Sequence, residues 1–412
     1  MRHLRLVPPP PKKPRRLTRT EYRWTLPYGA WVCKGHVTIF NRRYIPILRR
    51  WEDGTIGTNC LNLREIHPST LVHNRLTLLN LKGRVNVKTL PSKFEMESLE
   101  DLILSGCSKL KKIPEFGENM QRVLKLYLGG TAITKLPTSI GHLTGLVLLN
   151  VRDCKSLTCL PSSIFNLKLL KEVNISRCSK LKRLPENVGN AESVEELDVS
   201  GTAIREVPSS VGLLKNLKVL SFSECKGLSS FNSTSWYDLL PFSLRPKIAD
   251  PVGFSSLSGL CSLTKLNLQN CNLNAIPDDI GCLFSLEEIH LSENNFVCLP
   301  DSISQLCKLE RMYLSNCTSL RSLPKLPIDI IEIWGDGCTS LEMVPDLQNS
   351  NSFFKGELYL SNCSKLADNQ DFIDTFLAMI RKHHQVSLSL SLSLSLCYKQ
   401  PTLYVLGILS SR

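Results

Sequence analysis

Residues 99–114 read LEDLILSGCSKLKKIP, and this stretch sets the pattern for most of the chain. Apolar residues stand at its first, fourth and sixth positions, a cysteine at the ninth, and an apolar residue followed by proline at the end. The same frame returns at residues 146–161 and 170–185, again with a cysteine in the ninth place. A fixed period of this kind indicates a repeat protein, and it outweighs local propensity as evidence for the fold.

The closing proline recurs at nearly constant steps. From Pro91 to Pro208 the steps are 23, 23, 24, 24 and 23 residues, inside the ~20–29 residues of a leucine-rich repeat. The LxxLxL spacing puts apolar residues on one face of a short strand, because side chains alternate along a strand. The predicted fold is therefore an α/β leucine-rich-repeat solenoid, or horseshoe, with a parallel concave β-sheet, short convex 3-10 or helical segments and disordered termini.

The frame also predicts the division of the chain. Residues 1–57 are expected to form a basic, Pro-rich, disordered leader, and 58–345 the solenoid, with an irregular coil at 229–262. We expect 346–385 to be a C-terminal cap or the start of a post-repeat module, and 386–412 a low-complexity tail. The PPPPKKPRR segment of the leader also fits a nuclear-localisation or nucleic-acid-binding arm, although we favour the disordered leader.

Charge is concentrated at the N-terminal end. The 412 residues carry a formal net charge of +13, of which residues 1–58 contribute +10 through 13 Lys/Arg and 3 Asp/Glu. The solenoid is therefore close to neutral, and we expect no nucleic-acid partner for it. The sequence has neither a secretory signal nor an apolar run of ~18 residues, so no membrane span is predicted. We expect a cytoplasmic protein that is able to reach the nucleus.

The 16 cysteines follow the repeat more closely than they follow any disulfide framework. Thr131, Thr202 and Asn294 take the ninth place in other copies, so this place requires a small, weakly polar residue. We therefore favour reduced, structural thiols over zinc ligands or disulfides. The cysteines that share this place are Cys107, Cys154, Cys178, Cys225, Cys271 and Cys317.

No motif for catalysis or cofactor binding is present in the sequence. It contains no GxxxxGK[ST], HExxH, GxSxG or CxxC, which are the patterns that hold phosphate, zinc or an activated nucleophile. We therefore predict a non-enzymatic protein with no catalytic residue, no metal ligand and no cofactor.

The inner face of the solenoid is the remaining candidate site. Strand residues that flank the buried leucine point to this face, and they mix both charge signs with Tyr and His, as protein-binding surfaces do. An ordinary solvated sheet face is the alternative. The candidates are Asp101, Ile103, Lys125, Tyr127, Asn150, Arg152, Glu172, Asn174, Glu196, Asp198, Lys265, Asn267, Glu288, His290, Arg311 and Tyr313, with Trp236 and Tyr237 in the irregular coil.

Four phrases carry a family resemblance: NLREIHPSTL, SGCSKLKKIPEF, DGCTSLEMVPDL and LSNCSKLADNQ. They resemble the leucine-rich-repeat region of plant nucleotide-binding disease resistance proteins of the TIR type, over roughly residues 58–372. The resemblance implies an intracellular defence receptor whose repeats detect effectors and restrain a nucleotide switch. No TIR or nucleotide-binding domain precedes the repeats in this sequence, so only recognition or autoinhibitory contact carries over, and we expect a truncated receptor.

The expected partner is a protein: a pathogen effector, a guarded host protein, or the nucleotide-binding domain of a related receptor. One alternative is a cytoplasmic signalling scaffold of the Ras-binding type, which the coil TAIREVPSSVGLLKNL resembles; that group uses Asn in the ninth place and lacks the Cys-SKL coils. A less favoured alternative is an extracellular receptor ectodomain, whose coils end in LxGxIP where this chain has xxLP.

Overall fold

The structure is a computed structural model of the chain. It describes residues 76–231, 259–344 and 357–374, and the backbone of short strands between residues 22 and 58; side chains are described for 76–228, 259–344 and 357–374. The PPPPKKPRR segment, Trp236, Tyr237 and the tail at 386–412 lie outside the described residues.

The described strands are short, most of them three residues long. In chain order they are β1 (Tyr22–Leu26), β2 (Ala30–Cys33), β3 (His36–Ile39), β4 (Leu48–Arg50), β5 (Thr55–Thr58), β6 (Leu78–Asn80), β7 (Lys93–Phe94), β8 (Asp101–Ile103), β9 (Glu115–Phe116), β10 (Lys125–Tyr127), β11 (Leu148–Asn150), β12 (Glu172–Asn174), β13 (Glu196–Asp198), β14 (Val219–Ser221), β15 (Lys265–Asn267), β16 (Glu288–His290), β17 (Arg311–Tyr313), β18 (Glu332–Trp334) and β19 (Glu357–Tyr359).

One long sheet organises these strands. β6, β8 and β10–β19 pair in parallel, each with its neighbour along the chain. At one end the sheet continues through β5 and the antiparallel β4, while β1–β3 form an antiparallel sheet and β7 pairs with β9. Parallel neighbours in sequence order require each coil to return to the same side before the next strand, so the solenoid prediction is confirmed.

The core lies between this sheet and the outer segments of the coils. In all twelve strands from β6 to β19 that belong to the sheet, the middle residue is buried and the two flanking residues are at least partly exposed. The buried side chains form one continuous cluster from Leu76 to Phe372. Burial of apolar surface by neighbouring coils is therefore what holds each strand in place.

Short 3-10 helices cover the outer side. They span Thr138–His142, Ser162–Asn166, Val188–Asn190, Ser209–Leu213, Lys226–Phe231, Asp278–Cys282 and Asp301–Gln305. A proline such as Pro137 or Pro161 precedes most of them in an extended conformation, and the third residue after it, Ile140 or Ile164, is buried. Proline fixes φ and cannot donate to the first turn, so it suits this entry. The closing proline therefore begins the outer segment, and the apolar residue three positions later anchors that segment to the core.

A left-handed residue stands in the turn after each inner strand, directly before the ninth place. Gly106 has φ 78°, and Asp153 and Asn316 occupy the same position with φ 59° and 61°. Gly, Asn and Asp tolerate this region best, which explains the recurring SGC, RDC and SNC triplets. The turn directs the next side chain, the cysteine, into the core.

The buried cysteines form a column of hydrogen bonds between coils. Each Sγ donates to a carbonyl oxygen of the preceding coil at 3.0 to 3.3 Å, as Cys154 does to Leu128. The structure adds Cys338 and Cys363 to the six cysteines expected from the sequence. A thiol with an acceptor inside the coil stack stabilises the stack without a disulfide.

We expect the column thiols to resist alkylation in the folded chain. Burial raises the pKa of Cys178 and Cys271 to about 12, so the reactive thiolate is scarce at pH 8. The exposed Cys159 and Cys298 should react with iodoacetamide first, and the column cysteines only after denaturation. Peptide mapping by mass spectrometry measures both rates. Equal labelling of the two groups in the native chain would contradict the buried column.

Strands are described on both sides of the predicted solenoid, and the sequence-based division stays a prediction. β1–β4 and the start of β5 lie within residues 1–57, in a segment rich in aromatic and β-branched residues that favour strands. The sheet also continues past residue 345, because β19 pairs in parallel with β18. The α-helix Ser364–Ala367 and a helical stretch at 370–374 follow β19.

Candidate functional site: the concave face

The concave face is formed by the first and third residues of each strand in the parallel sheet. We call these the first-position row and the third-position row. Fifteen of the sixteen inner-face residues predicted from the sequence occupy these rows. The other, Arg152, follows β11 by two residues and has a half-exposed side chain. The register pairs each residue with its counterpart on the next strand, so both rows are continuous.

From β11 to β15 the third-position row is polar. The side-chain Oδ1 atoms of Asn150, Asn174 and Asp198 each accept the backbone N–H two residues further on, at 3.0 to 3.1 Å. Asn174 also donates from Nδ2 to an Oδ2 of Asp198 at 3.2 Å. Much of the hydrogen-bonding capacity of this row is therefore used to hold the strand ends.

From β16 to β19 the third-position row is aromatic. His290 and Tyr313 stack with ring centroids 4.3 Å apart and planes 10° apart. Tyr313 and Trp334 are 6.3 Å apart at 20°, and Trp334 and Tyr359 are 3.8 Å apart at 14°. All four side chains remain partly exposed. We call this set of four rings the aromatic ladder.

Glutamates of the first-position row accept hydrogen bonds from ladder rings on the same strand. His290 Nε2 lies 2.7 Å from Glu288 Oε1, Trp334 Nε1 donates to Glu332 at 3.2 Å, and the Tyr359 hydroxyl donates to Glu357. These bonds fix the orientation of each ring, because an aromatic ring with a bonded polar edge loses its freedom to rotate. The ladder is therefore held both by stacking and by carboxylates.

The carboxylate of Glu288 is largely enclosed, with a side chain 12% exposed. Burial acts to raise its pKa, but hydrogen bonds from Lys265 and His290 outweigh burial and hold the pKa below its ordinary value. Lys265 lies 3.0 Å and Arg311 3.8 Å from Glu288 Oε2. Burial and the nearby glutamates raise the pKa of Tyr313, so it stays a neutral donor at physiological pH.

Trp334 and Tyr359 belong to the face but are absent from the sequence-based candidates. The signal that locates them is the distance between the buried strand residue and the ninth place. That distance is five residues from Leu102 to Cys107, and five again from Ile333 to Cys338. Counting back from Cys338 and Cys363 therefore identifies both strands, even where the closing prolines lose their regular spacing.

Neither a cluster of metal-ligand side chains nor a membrane-spanning helix occurs in the described part of the chain. Within residues 76–228, 259–344 and 357–374 no three His, Cys, Asp or Glu side chains are grouped as metal ligands would be. In the same residues no helix has the length and apolar character needed to cross a bilayer.

A parallel sheet of short strands, outer 3-10 segments and a partly exposed inner face define the class: this is a leucine-rich-repeat protein. Residues 95–193 match the family described as "Disease resistance protein RPS4B-like, leucine-rich repeats", and residues 261–318 match "Leucine rich repeat". The repeats at 95–193 are thus similar to those of plant disease resistance proteins, which confirms the resemblance to their leucine-rich-repeat region.

Two curated relatives show the extent of this similarity. Disease resistance protein RPP2B of Arabidopsis thaliana is 37% identical over 325 residues, which are 74% of this chain and 24% of that protein. TMV resistance protein N of Nicotiana glutinosa is 34% identical over 295 residues, 69% of this chain and 23% of that protein. The chain therefore spans about a quarter of the length of these relatives.

Among solved structures, the leucine-rich repeat domain of the type III effector XopL aligns with 24% sequence identity and a TM-score of 0.44. The alignment covers 54% of this chain and 72% of that one.

Proposed function

We propose that the concave face recognises a protein, as a non-enzymatic interaction module of the plant intracellular immune receptor type. The partner is a pathogen effector, a guarded host protein (one whose modification by an effector the receptor detects), or the nucleotide-binding domain of a related receptor. The proposal places the chain in the cytoplasm, with the nucleus as a second compartment. The observation that carries it is the continuity of the two partly exposed rows through twelve strands, with both charge signs and aromatic rings.

The dimensions of the face support a protein partner. Twelve strands at ~4.8 Å spacing give a face about 50 Å long, and three to five residues per strand give a width of about 10–15 Å. A stable protein–protein interface buries roughly 800 Å² of surface on each partner. Because the face is narrow, an interface of this area must extend over many coils. We therefore expect the partner to contact several successive strands.

A charge reversal in the middle of the face tests the proposal. Glu172 and Glu196 are exposed first-position residues of β12 and β13. We expect the double variant Glu172→Arg/Glu196→Arg to lose the partner. Charges of the same sign that meet in an interface repel each other, and removing water from a charged side chain costs free energy. Proximity labelling in leaf tissue, with a biotin ligase fused to the chain, identifies proteins that the parent chain labels and the variant does not. The binding of these proteins to the purified parent chain and variant is then measured.

The matched control reverses two outer glutamates of the same coils. Glu186 and Glu192 are exposed and flank the outer 3-10 helix Val188–Asn190. The variant Glu186→Arg/Glu192→Arg has the same net charge as the inner variant and should keep the partner. If the inner and outer variants lose the same proteins, the concave face is not the recognition surface. If neither variant loses a protein, the partner does not contact β12 and β13, and the proposal fails for the middle of the face.

A further inference from the structure

The aromatic ladder points to a specific partner chemistry. We propose that β16–β19 form a docking site for an extended segment of a partner protein that carries lysine or arginine side chains. This inference rests on the proposed function, and it names what one end of the concave face recognises. The ladder rings supply apolar contact, and the glutamates beside them supply the negative charge.

The rings present partly exposed apolar surface at one end of the concave face. Their planes are 10–20° apart; the centroids are 4.3 Å apart for His290 and Tyr313 and 3.8 Å for Trp334 and Tyr359, with a wider step of 6.3 Å between these two stacked pairs. Four partly exposed aromatic side chains in a row are unusual on a solvated surface, and rings of this kind dominate binding energy at protein interfaces.

The charge beside the ladder is negative where the chain as a whole is positive. Around β18 and β19, Glu332, Asp336 and Glu357 are partly exposed, and the strands and the turns that follow them, 332–337 and 357–361, contain no lysine or arginine. Lys355, two residues before β19, lies outside the described residues. Among the described residues, no base lies within ion-pair distance of Glu332 or Glu357. Arg311 is the register neighbour of Glu332 on β17, but its guanidinium lies near Glu288 and Glu310, and Lys265 also pairs with Glu288.

Glu332 and Glu357 are also direct neighbours in the parallel register. Like charges on facing positions of neighbouring strands destabilise a sheet, so this pair has a cost that a bound cation removes. Each carboxylate accepts one hydrogen bond from a ring and keeps lone pairs for a guanidinium or ammonium group. The alkyl stem of that side chain then packs on the ring edges of Trp334 and Tyr359.

The pair Glu172 and Glu196 provides an internal comparison. These glutamates are also register neighbours in the first-position row, but their strands carry Asn174 and Asp198 in the third-position row. A cation bound there finds third-position polar groups that are already hydrogen-bonded to each other, and its stem meets the aliphatic neighbours Leu148 and Val219 but no aromatic ring. The two pairs therefore separate the effect of carboxylates alone from that of carboxylates beside rings.

The test uses a displayed library of random dodecapeptides selected on the immobilised full chain. We expect the selected peptides to be enriched in Lys and Arg. The Kd of a synthesised peptide should rise about tenfold or more for Glu332→Gln/Glu357→Gln and for Trp334→Ala, and stay unchanged for Glu172→Gln/Glu196→Gln. Trp334→Phe keeps a ring in the stack and should retain most of the binding. Binding should weaken with added salt.

Several outcomes would overturn the inference: no binding peptide, selected peptides without Lys or Arg enrichment, or equal effects of the two glutamine pairs. Tighter binding of a synthetic peptide of residues 8–16 than of any selected peptide would assign the site to the chain's own leader and also overturn it. Because the glutamine pairs retain shape, hydrogen exchange matching the parent chain shows that lost binding is not lost folding. A partner that depends on Glu172 and Glu196 but not on the ladder would leave the proposed function standing and remove this inference.

Discussion

Replacing Phe222 with alanine is expected to lower the free energy of unfolding by about 3–5 kcal/mol, as for other buried Phe→Ala changes. The Phe222 side chain is fully buried, and it follows β14 directly, beside the irregular coil. Its backbone joins two coils, since its N–H donates to Asn267 and its carbonyl oxygen accepts the thiol of Cys271. The cavity would therefore open where β14 and β15 meet.

Urea denaturation measures this loss, and hydrogen exchange locates it. Because each coil of a solenoid contacts mainly its neighbours, amides around β13–β15 should exchange faster than those around β10. Phe284→Ala is the matched control, since the Phe284 side chain is 60% exposed, and it should change stability by less than about 0.5 kcal/mol. Similar losses for the two variants would mean that Phe222 is not part of a packed core.

The second large effect is expected at Asn294, the one asparagine found in the ninth place within the described coils. Its Oδ1 accepts the backbone N–H groups of Cys271 and Leu273 at 3.2 and 3.0 Å. Its Nδ2 donates to the carbonyls of Leu268 and Leu291 at 2.9 and 2.7 Å. Asn294→Ala leaves these buried groups unpaired, so we expect a loss of about 3 kcal/mol or more, at ~1–3 kcal/mol for each unsatisfied group.

The neighbouring Asn295 is the control for this change. Its side chain is exposed and bonds to Asn272, so Asn295→Ala should cost less than about 0.5 kcal/mol. Asn294→Cys installs the residue that other coils use, which can donate to one carbonyl only, and should fall between the two. Urea denaturation with amide exchange at Cys271 and Leu273 measures all three. An alanine variant as stable as the cysteine variant would refute the role of the amide bridge.

Most of the fold could be predicted from the sequence, because burial in a solenoid follows the period. Leu102, Leu149 and Val173 share one phase of the repeat, and all three are buried in the middle of their strands. The ninth place could be predicted for the same reason, since a side chain aimed into a narrow coil must be small. The inner-face residues followed from strand alternation once the buried phase was known.

The proline period could not locate the aromatic ladder, and counting back from the ninth-place cysteines finds its strands but not the stacking of its rings. The ladder residues are separated by 23, 21 and 25 positions, because the outer segments of these coils differ in length. The prolines lose their regular spacing there, and Trp334 and Tyr359 do not stand out by period. They meet only because hydrogen bonds between β17, β18 and β19 bring them into register.

The sequence by itself determined which side chains are hidden, since a fixed repeat places the same phase of every coil against the core. The tertiary structure alone decided which exposed side chains meet. Neighbours on the concave face belong to different coils, and their contact depends on strand register rather than on distance along the chain. Stacking of Trp334 on Tyr359, with Glu332 and Glu357 beside them, is therefore a property of the assembled sheet.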